Sequence, residues 1–227
     1  MISYGSYCLG PDNARLRVWT GREGKAAPAG HDLEFEVQRW QAELHLTPGA
    51  SGVRATLTAD ARSLRVAGAS GGIKALSEAD KRKITETVTG TVLKGCEIRF
   101  SSHEKAPSGL RDQAHEAVKG STHGQAPERN QPAAPPTDAA SLSGAPDLDL
   151  RTGSVLVFTG ELTLFGARAQ AQVRLHISAG GEVTAEALIR QSDYAVKPYA
   201  AMFGALRVTD QVRITVEGTL AEKPGHV

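Results

Sequence analysis

The sequence has few cysteines, few aromatic residues and almost no excess of charge. Its two cysteines, Cys8 and Cys96, are too far apart to form a CxxC motif or the ligand spacing of a zinc site. We therefore predict reduced thiols, as is usual in the cytoplasm. The 227 residues contain 26 Lys and Arg against 25 Asp and Glu, and this balance argues against nucleic-acid binding through a basic face.

Long hydrophobic runs are also missing. No apolar run of the kind that a secretory signal needs is present near the start, where the first basic residue is Arg15. No segment approaches the roughly 20 apolar residues of a membrane-spanning helix. We therefore expect a cytoplasmic protein without a transmembrane segment.

Aromatic residues are absent between Ser101 and Val157, and six of the 11 prolines fall in that gap. Such a sequence buries too little apolar surface to offset its ordering entropy. We predict that Glu104–Leu150 is a disordered insertion within a single domain that spans residues 1–227. The insertion is either a solvated linker or a segment that docks a partner protein.

The remaining sequence alternates between apolar and polar residues, which is typical of half-buried antiparallel strands. The clearest runs are Leu33–Gln38, Val53–Asp60, Val155–Leu164, Ala169–Ile177 and Val183–Arg190. One segment differs: Ser77 and Asp80 predict a helix start, and Ile84, Val88 and Val92 follow on one face. The pattern predicts an all-β protein of eight or nine strands with one helix, and a sheet of this length usually forms a barrel or a sandwich.

Several motifs resemble those of the YceI-like domain family. They are Lys83-Ile84, Val92-Leu93, Ile98-Arg99-Phe100-Ser101-Ser102, Gly160-Glu161-Leu162-Thr163-Leu164-Phe165-Gly166, Ala29-Gly30-His31-Asp32, and the runs 191–199 and 203–208. The resemblance implies a lipocalin-like antiparallel β-barrel of about eight strands that binds a long apolar molecule, such as a polyisoprenoid. The long insertion is not typical of the family.

The strand alternation names the side chains that would line such a barrel: Phe35, Val37, Leu156, Phe158, Leu162 and Ile189. The same residues would equally fill a solid core, because eight-stranded barrels can be hollow or packed. Four bulky side chains, Tyr194, Tyr199, Met202 and Phe203, are close in sequence and form a candidate lid or a plug.

The adjacent residues His31 and Asp32 are the candidate polar groups at the cavity mouth. They would bind a ligand head group, hold a metal or act as a base, or they would merely cap a loop. The remaining histidines do not assemble into a metal centre, so we predict no metal site and no cofactor besides a bound isoprenoid or other lipid. We find no enzyme motif such as a P-loop or HExxH, and we predict a non-enzymatic protein.

The sequence therefore predicts binding, storage or transport of an isoprenoid or other lipid-like molecule. The alternative is a non-enzymatic interaction or stress-response module with a solid barrel that acts through the insertion. A homodimer that covers exposed strand edges is compatible with either hypothesis, although nothing in the sequence requires it.

Overall fold

The computed structural model describes residues 3–48, 52–102 and 154–222, so the insertion predicted at Glu104–Leu150 lies outside the described residues. The described chain is all-β with one helix, as predicted. Its strands are β1 (Gly5–Leu9), β2 (Ala14–Glu23), β3 (His31–Val37), β4 (Trp40–Leu46), β5 (Val53–Asp60), β6 (Leu64–Gly71), β7 (Glu97–Ser102), β8 (Ser154–Leu164), β9 (Ala167–Ile177), β10 (Glu182–Arg190), β11 (Ala200–Ala201), β12 (Leu206–Thr219) and β13 (Ala221–Glu222). Short 3₁₀ turns occur at Ala27–Ala29, Ala61–Ser63, Gln191–Tyr194 and Met202–Gly204.

All these strands belong to one antiparallel sheet. Twelve of them follow the order β13-β1-β4-β5-β7-β8-β9-β10-β12-β2-β3-β6, and β11 pairs with β12 outside this path. Among the described strands, five connections join strands that are not neighbours in this order: β1–β2, β3–β4, β5–β6, β6–β7 and β12–β13. Backbone hydrogen bonds link the β3–β4 connection to the β5–β6 connection: Asp60 N donates to Arg39 O at 3.0 Å, and Gln38 N donates to Ser63 O at 3.3 Å.

The sheet curls around its own inner face. Leu44 on β4 and Phe35 on β3 lie far apart in the strand order, yet both belong to one buried cluster. Both residues also border one cavity, so the sheet forms a curled half-barrel in which the alternate residues of each strand point inward. Among the described residues, the edge strands β6 and β13 do not pair with each other, so hydrogen bonding leaves this barrel open on one side.

The helix packs on the open side, against β6. Helix α1 spans Glu78–Glu86 and begins with a capping box, in which Asp80 N donates to Ser77 Oγ and Ser77 N donates to an Asp80 carboxylate oxygen. It continues as a π-helix over Thr87–Val92. Ile84, Val88 and Leu93 pack against the main core cluster, so the helix supplies apolar surface where the sheet has none.

One end of the half-barrel carries several of the segments that join its strands, and we call it the loop end. It holds the β8–β9 turn and the segments at 24–30, 72–77 and 191–205, because β2, β6, β8 and β10 all finish there. Ala26 N donates to Ala205 O at 2.9 Å, which fastens the first of these segments to the last.

The structure has more strands than the eight or nine that the sequence predicted. Strand β1 was missed because Gly5–Leu9 is short, although Tyr7 and Leu9 are buried in an alternating pattern. Strands β11 and β13 have two residues each and are too short to show alternation.

Candidate ligand-binding cavity

A cavity of about 240 Å³ lies inside the curled sheet. Of the 36 residues that border it, 31 are apolar, and they come from both halves of the described chain and from the helix. The polar exceptions are Thr20, Glu43, Thr56, Glu186 and Gln191. Because Glu43 and Glu186 are exposed residues on the outward positions of their strands, neither brings its charge into the apolar core.

Five of the six predicted lining residues border this cavity: Phe35, Val37, Phe158, Leu162 and Ile189. The sixth, Leu156, packs against the main core cluster but does not reach the cavity. The alternation of each strand places these side chains on the inner face, and the curl then brings the strands together.

Phe100 borders the cavity beside Phe158, although the alternation analysis did not include it. The two rings lie 6.4 Å apart between centroids with a tilt of 53°. Phe100 fits there because its ring lies over Gly160, where any Cβ would overlap the ring. The glycine and the phenylalanine belong to two motifs that the sequence analysis noted separately, and their strands pair in register.

The helical region supplies Val88, Val92 and Leu93 to the cavity wall. The π-helix positions them: Leu93 N donates to Val88 O at 2.8 Å, which is a bond across five residues. The sequence showed the apolar face of this helix but gave no sign that the face borders a cavity.

The candidate lid residues separate into two groups. Tyr194 is 1% exposed and packs in a second core cluster with Leu162, Leu164 and Val196, and burial raises the pKa of its hydroxyl above the ordinary value. Val196 borders the cavity, so the beginning of this segment closes over the core.

Tyr199, Met202 and Phe203 are instead exposed, at 48%, 60% and 113%. In this conformation they form neither a plug nor part of the cavity wall. Lining from these three side chains would require the segment to move, and their role as ligand contacts stays a prediction.

His31 and Asp32 lie at the loop end, and each has a protein partner. His31 Nε2 lies 2.8 Å from Lys74 O, and since a carbonyl only accepts, this nitrogen carries the proton. Arg22 forms an ion pair with Asp32 at 3.0 Å. As expected for neighbours on a strand, the two residues do not bond to each other, and neither borders the cavity.

One catalytic spacing escaped the sequence analysis. Gly68-Ala69-Ser70-Gly71-Gly72 matches G-x-S-x-G, and Ser70 lies opposite Asp32 in the sheet. A nucleophile elbow places its serine in a strained turn between a strand and a helix. Ser70 is in strand β6 and does not have positive φ, whereas Gly71 and Gly72 do, so the structure does not form an elbow here.

The described residues contain no group of three or more His, Cys, Asp or Glu side chains arranged to hold a metal ion. Within the same ranges, no helix is long and apolar enough to cross a bilayer.

Comparisons with known proteins give structural matches only. No protein-family model matches the chain, and no curated protein matches it. The fold aligns with the crystal structure of BcnA from Burkholderia cenocepacia, at 14% identity and a TM-score of 0.49, over 90% of this chain and 94% of that one. It also aligns with a polyisoprenoid binding domain from Saccharophagus degradans implicated in plant cell wall breakdown, at 10% identity and a TM-score of 0.48, over 96% of this chain and 99% of that one.

Proposed function

We propose that this protein binds a long apolar molecule, an isoprenoid or another lipid-like chain, inside the half-barrel. The observation that carries the proposal is the cavity, whose wall is apolar at 31 of 36 positions. A water molecule inside this cavity would find few hydrogen-bond partners, because a buried water needs two to four of them. An apolar ligand instead gains about 25 cal/mol for each Å² of apolar surface that leaves water.

The size of the cavity limits how much of the ligand it holds. Pockets for small molecules usually have volumes of roughly 300–1,000 Å³. At about 240 Å³, this cavity accepts a short hydrocarbon segment without rearrangement. A longer chain must extend beyond the cavity or widen it, so we expect a lipocalin-like container that adjusts to its cargo.

The polar groups of the site favour recognition of the hydrocarbon over recognition of a head group. Gln191 borders the cavity, but its amide donates to Thr209 O at 2.9 Å. His31 and Asp32 also have protein partners. Among long hydrocarbons, the isoprenoid class is the one that the resemblance of the sequence motifs to the YceI-like family implies.

A cavity-filling substitution tests the proposal. Ala185 faces the cavity from the middle of β10, opposite Leu175 and Val216, and Ala185→Phe would place a ring in the empty space. We expect the affinity for farnesol, measured by native mass spectrometry, to fall by about tenfold or more, since about 1.4 kcal/mol of lost burial suffices. Thermal stability should not fall, because the ring fills a void.

The control is Thr184→Phe, which adds the same ring at the neighbouring exposed position. It should leave farnesol uptake unchanged. Organic extraction of the purified wild-type protein, followed by mass spectrometry, gives an independent test. A wild-type protein that contains no lipid and takes up neither farnesol nor a straight-chain alcohol would rule out the proposal.

A further inference from the structure

Large apolar side chains are exposed at the loop end. Nine such side chains are exposed in the described residues, and five of them lie in the loop-end segments: Ile73, Phe165, Tyr199, Met202 and Phe203. Phe203 is fully exposed and Ile73 is 85% exposed. This concentration is a marker of an interaction surface, whereas single exposed apolar residues are ordinary.

Two of these residues belong to Phe-Gly pairs in turns. Phe165-Gly166 is the two-residue turn that joins β8 to β9, whereas Phe203-Gly204 lies inside the four-residue turn 202–205 between β11 and β12. In both turns the phenylalanine has a left-handed backbone, with φ of 56° and 55°, and the following glycine also has positive φ. A two-residue turn such as Phe165-Gly166 favours Asn-Gly or Asp-Gly, and in either turn a bulky side chain with positive φ is an outlier.

The second turn gains no burial that would offset this strain. Met202, which precedes Phe203, also has positive φ and is exposed. The fold therefore does not explain why the large apolar side chains of Met202 and Phe203 occupy this turn. Strained positions of this kind are concentrated at functional sites.

The turn is nevertheless held firmly. Ala26 N donates to Ala205 O, and Val208 N donates to Tyr199 O, both at 2.9 Å. Gly24 approaches Ala205 O so closely that a Cβ at Gly24 would overlap it. The segment 24–30 thus packs against the turn, and Phe203 points away from it toward solvent.

Cations outnumber carboxylates in the two segments that form and support this turn. The residues 23–30 and 195–207 contain three cations, Lys25, Lys197 and Arg207, and one carboxylate, Glu23, which lies 3.5 Å from Arg207. Lys25 and Lys197 are exposed and form no ion pair within the described ranges. Nearby, Asp32 is paired with Arg22, while Asp193 is an exposed carboxylate.

We propose that the loop end is a docking surface for a lipid bilayer that contains anionic lipids. Aromatic side chains favour the boundary between head groups and acyl chains, and each nearby cation adds attraction to an anionic surface. Docking here would place the bilayer beside Val196, which borders the cavity and packs with the buried Tyr194. The inference deepens the proposed function and rests on it, because the bilayer would be the source or destination of the apolar cargo.

Vesicle flotation of the full chain tests this inference. The probe is a vesicle of equal parts phosphatidylcholine and phosphatidylglycerol, and the variant is Met202→Ser with Phe203→Ser. Both residues are exposed, so the variant should fold normally. We expect vesicle affinity to fall by about tenfold or more, since the variant removes the burial of two large apolar side chains. Because neither Met202 nor Phe203 borders the cavity in this conformation, farnesol uptake in solution should stay unchanged.

The matched control is Val155→Ser with Val157→Ser, which removes two exposed apolar side chains from the outer face of β8. It should float as the wild type does. A wild type that does not float, a loop-end variant that floats fully, or equal losses in both variants would overturn the inference. So would a dimer that the loop-end variant converts to monomers, because the surface would then bind a second copy.

The two proposals fail separately. Ala185→Phe should still float when its farnesol uptake is lost, because the cavity is not the docking surface. Flotation without farnesol uptake by the wild type would reject the cargo and retain the docking surface. Farnesol uptake without flotation would reject the docking surface and retain the cargo.

Discussion

At the scale of single residues, Gly160 shapes the wall of the cavity because it has no side chain. Its missing side chain makes room for the Phe100 ring, which in turn lies beside Phe158. The pair depends on strand register, because Ser102 lies opposite Gly160 and Phe100 opposite Leu162. A glycine inside a strand often marks such a close approach.

Gly160→Ala should displace the Phe100 ring. Since overpacking of a tight core typically costs 1–3 kcal/mol, we expect a loss of about that free energy of unfolding, measured by urea denaturation. Farnesol affinity should fall as well, because Phe100 borders the cavity. The control is Gly180→Ala, where the nearest atom to the added Cβ is 3.7 Å away and φ is not positive. Equal stability of the two variants would contradict the role given to Gly160.

Strand alternation predicted which side chains are buried, but it did not predict which side chains of other strands they contact. It placed Phe35, Val37 and Ile189 on an inner face, since side-chain direction follows from position in a strand. It was silent on Phe100, whose place depends on a neighbour from another strand. It also offered no means to tell that Phe203 is exposed, because the conformation of the turn, and not the size of the side chain, decides this.

At the scale of elements, the helix and its π-helical continuation form the part of the cavity wall that the sheet does not supply. The π-helix has one residue that weakens it: Gly90 is exposed, has ordinary φ, and has no atom within 4 Å of an added Cβ. Glycine loses more backbone entropy on folding than alanine does, which destabilises helical segments.

Gly90→Ala should therefore stabilise the protein by roughly 0.5–1 kcal/mol, as seen for glycine in helices. A thermal melt followed by circular dichroism measures the change. Gly72→Ala gives the contrast, because Gly72 has φ of +74° and an added Cβ would overlap the His31 ring, so this variant should lose stability. A Gly90→Ala variant that melts below the wild type would contradict the idea that Gly90 destabilises the π-helix.

The helix was the best predicted element, because its start rests on local chemistry. Ser77 and Asp80 form the capping interactions that their spacing indicated. The π-helix was not predictable, since its bonds depend on packing of Val88 and Leu93 against the sheet. Strand pairing was likewise beyond the sequence, because β12 lies between β10 and β2, which are distant in the chain.

At the scale of the whole molecule, residues 103–153 connect two strands that already pair. Ser102 at the end of β7 lies opposite Gly160, and β8 begins six residues before that point, at Ser154. At about 3.3 Å per residue, a connection must span roughly 20 Å. A flexible linker of about twelve residues is long enough.

Replacing residues 103–153 with such a Gly/Ser linker should preserve the circular dichroism spectrum and the affinity for farnesol, since β5–β7, β7–β8 and β8–β9 pair without it. Loss of farnesol uptake in a folded variant would contradict this expectation. Loss of a protein partner with uptake retained would instead support the alternative hypothesis of an interaction module. The disorder of the insertion and the cytoplasmic location both stay predictions.

The position of β12 governs how the molecule reaches its native state. This strand pairs with β2 from the first half of the chain and with β10 from the second. Until the residues through Thr219 are available, β2 and β10 both present an unpaired edge, which is a surface prone to aggregation. Contacts between such distant residues make folding slow, typically milliseconds to seconds for β-rich domains. The sheet therefore cannot be completed before β12 has been synthesised.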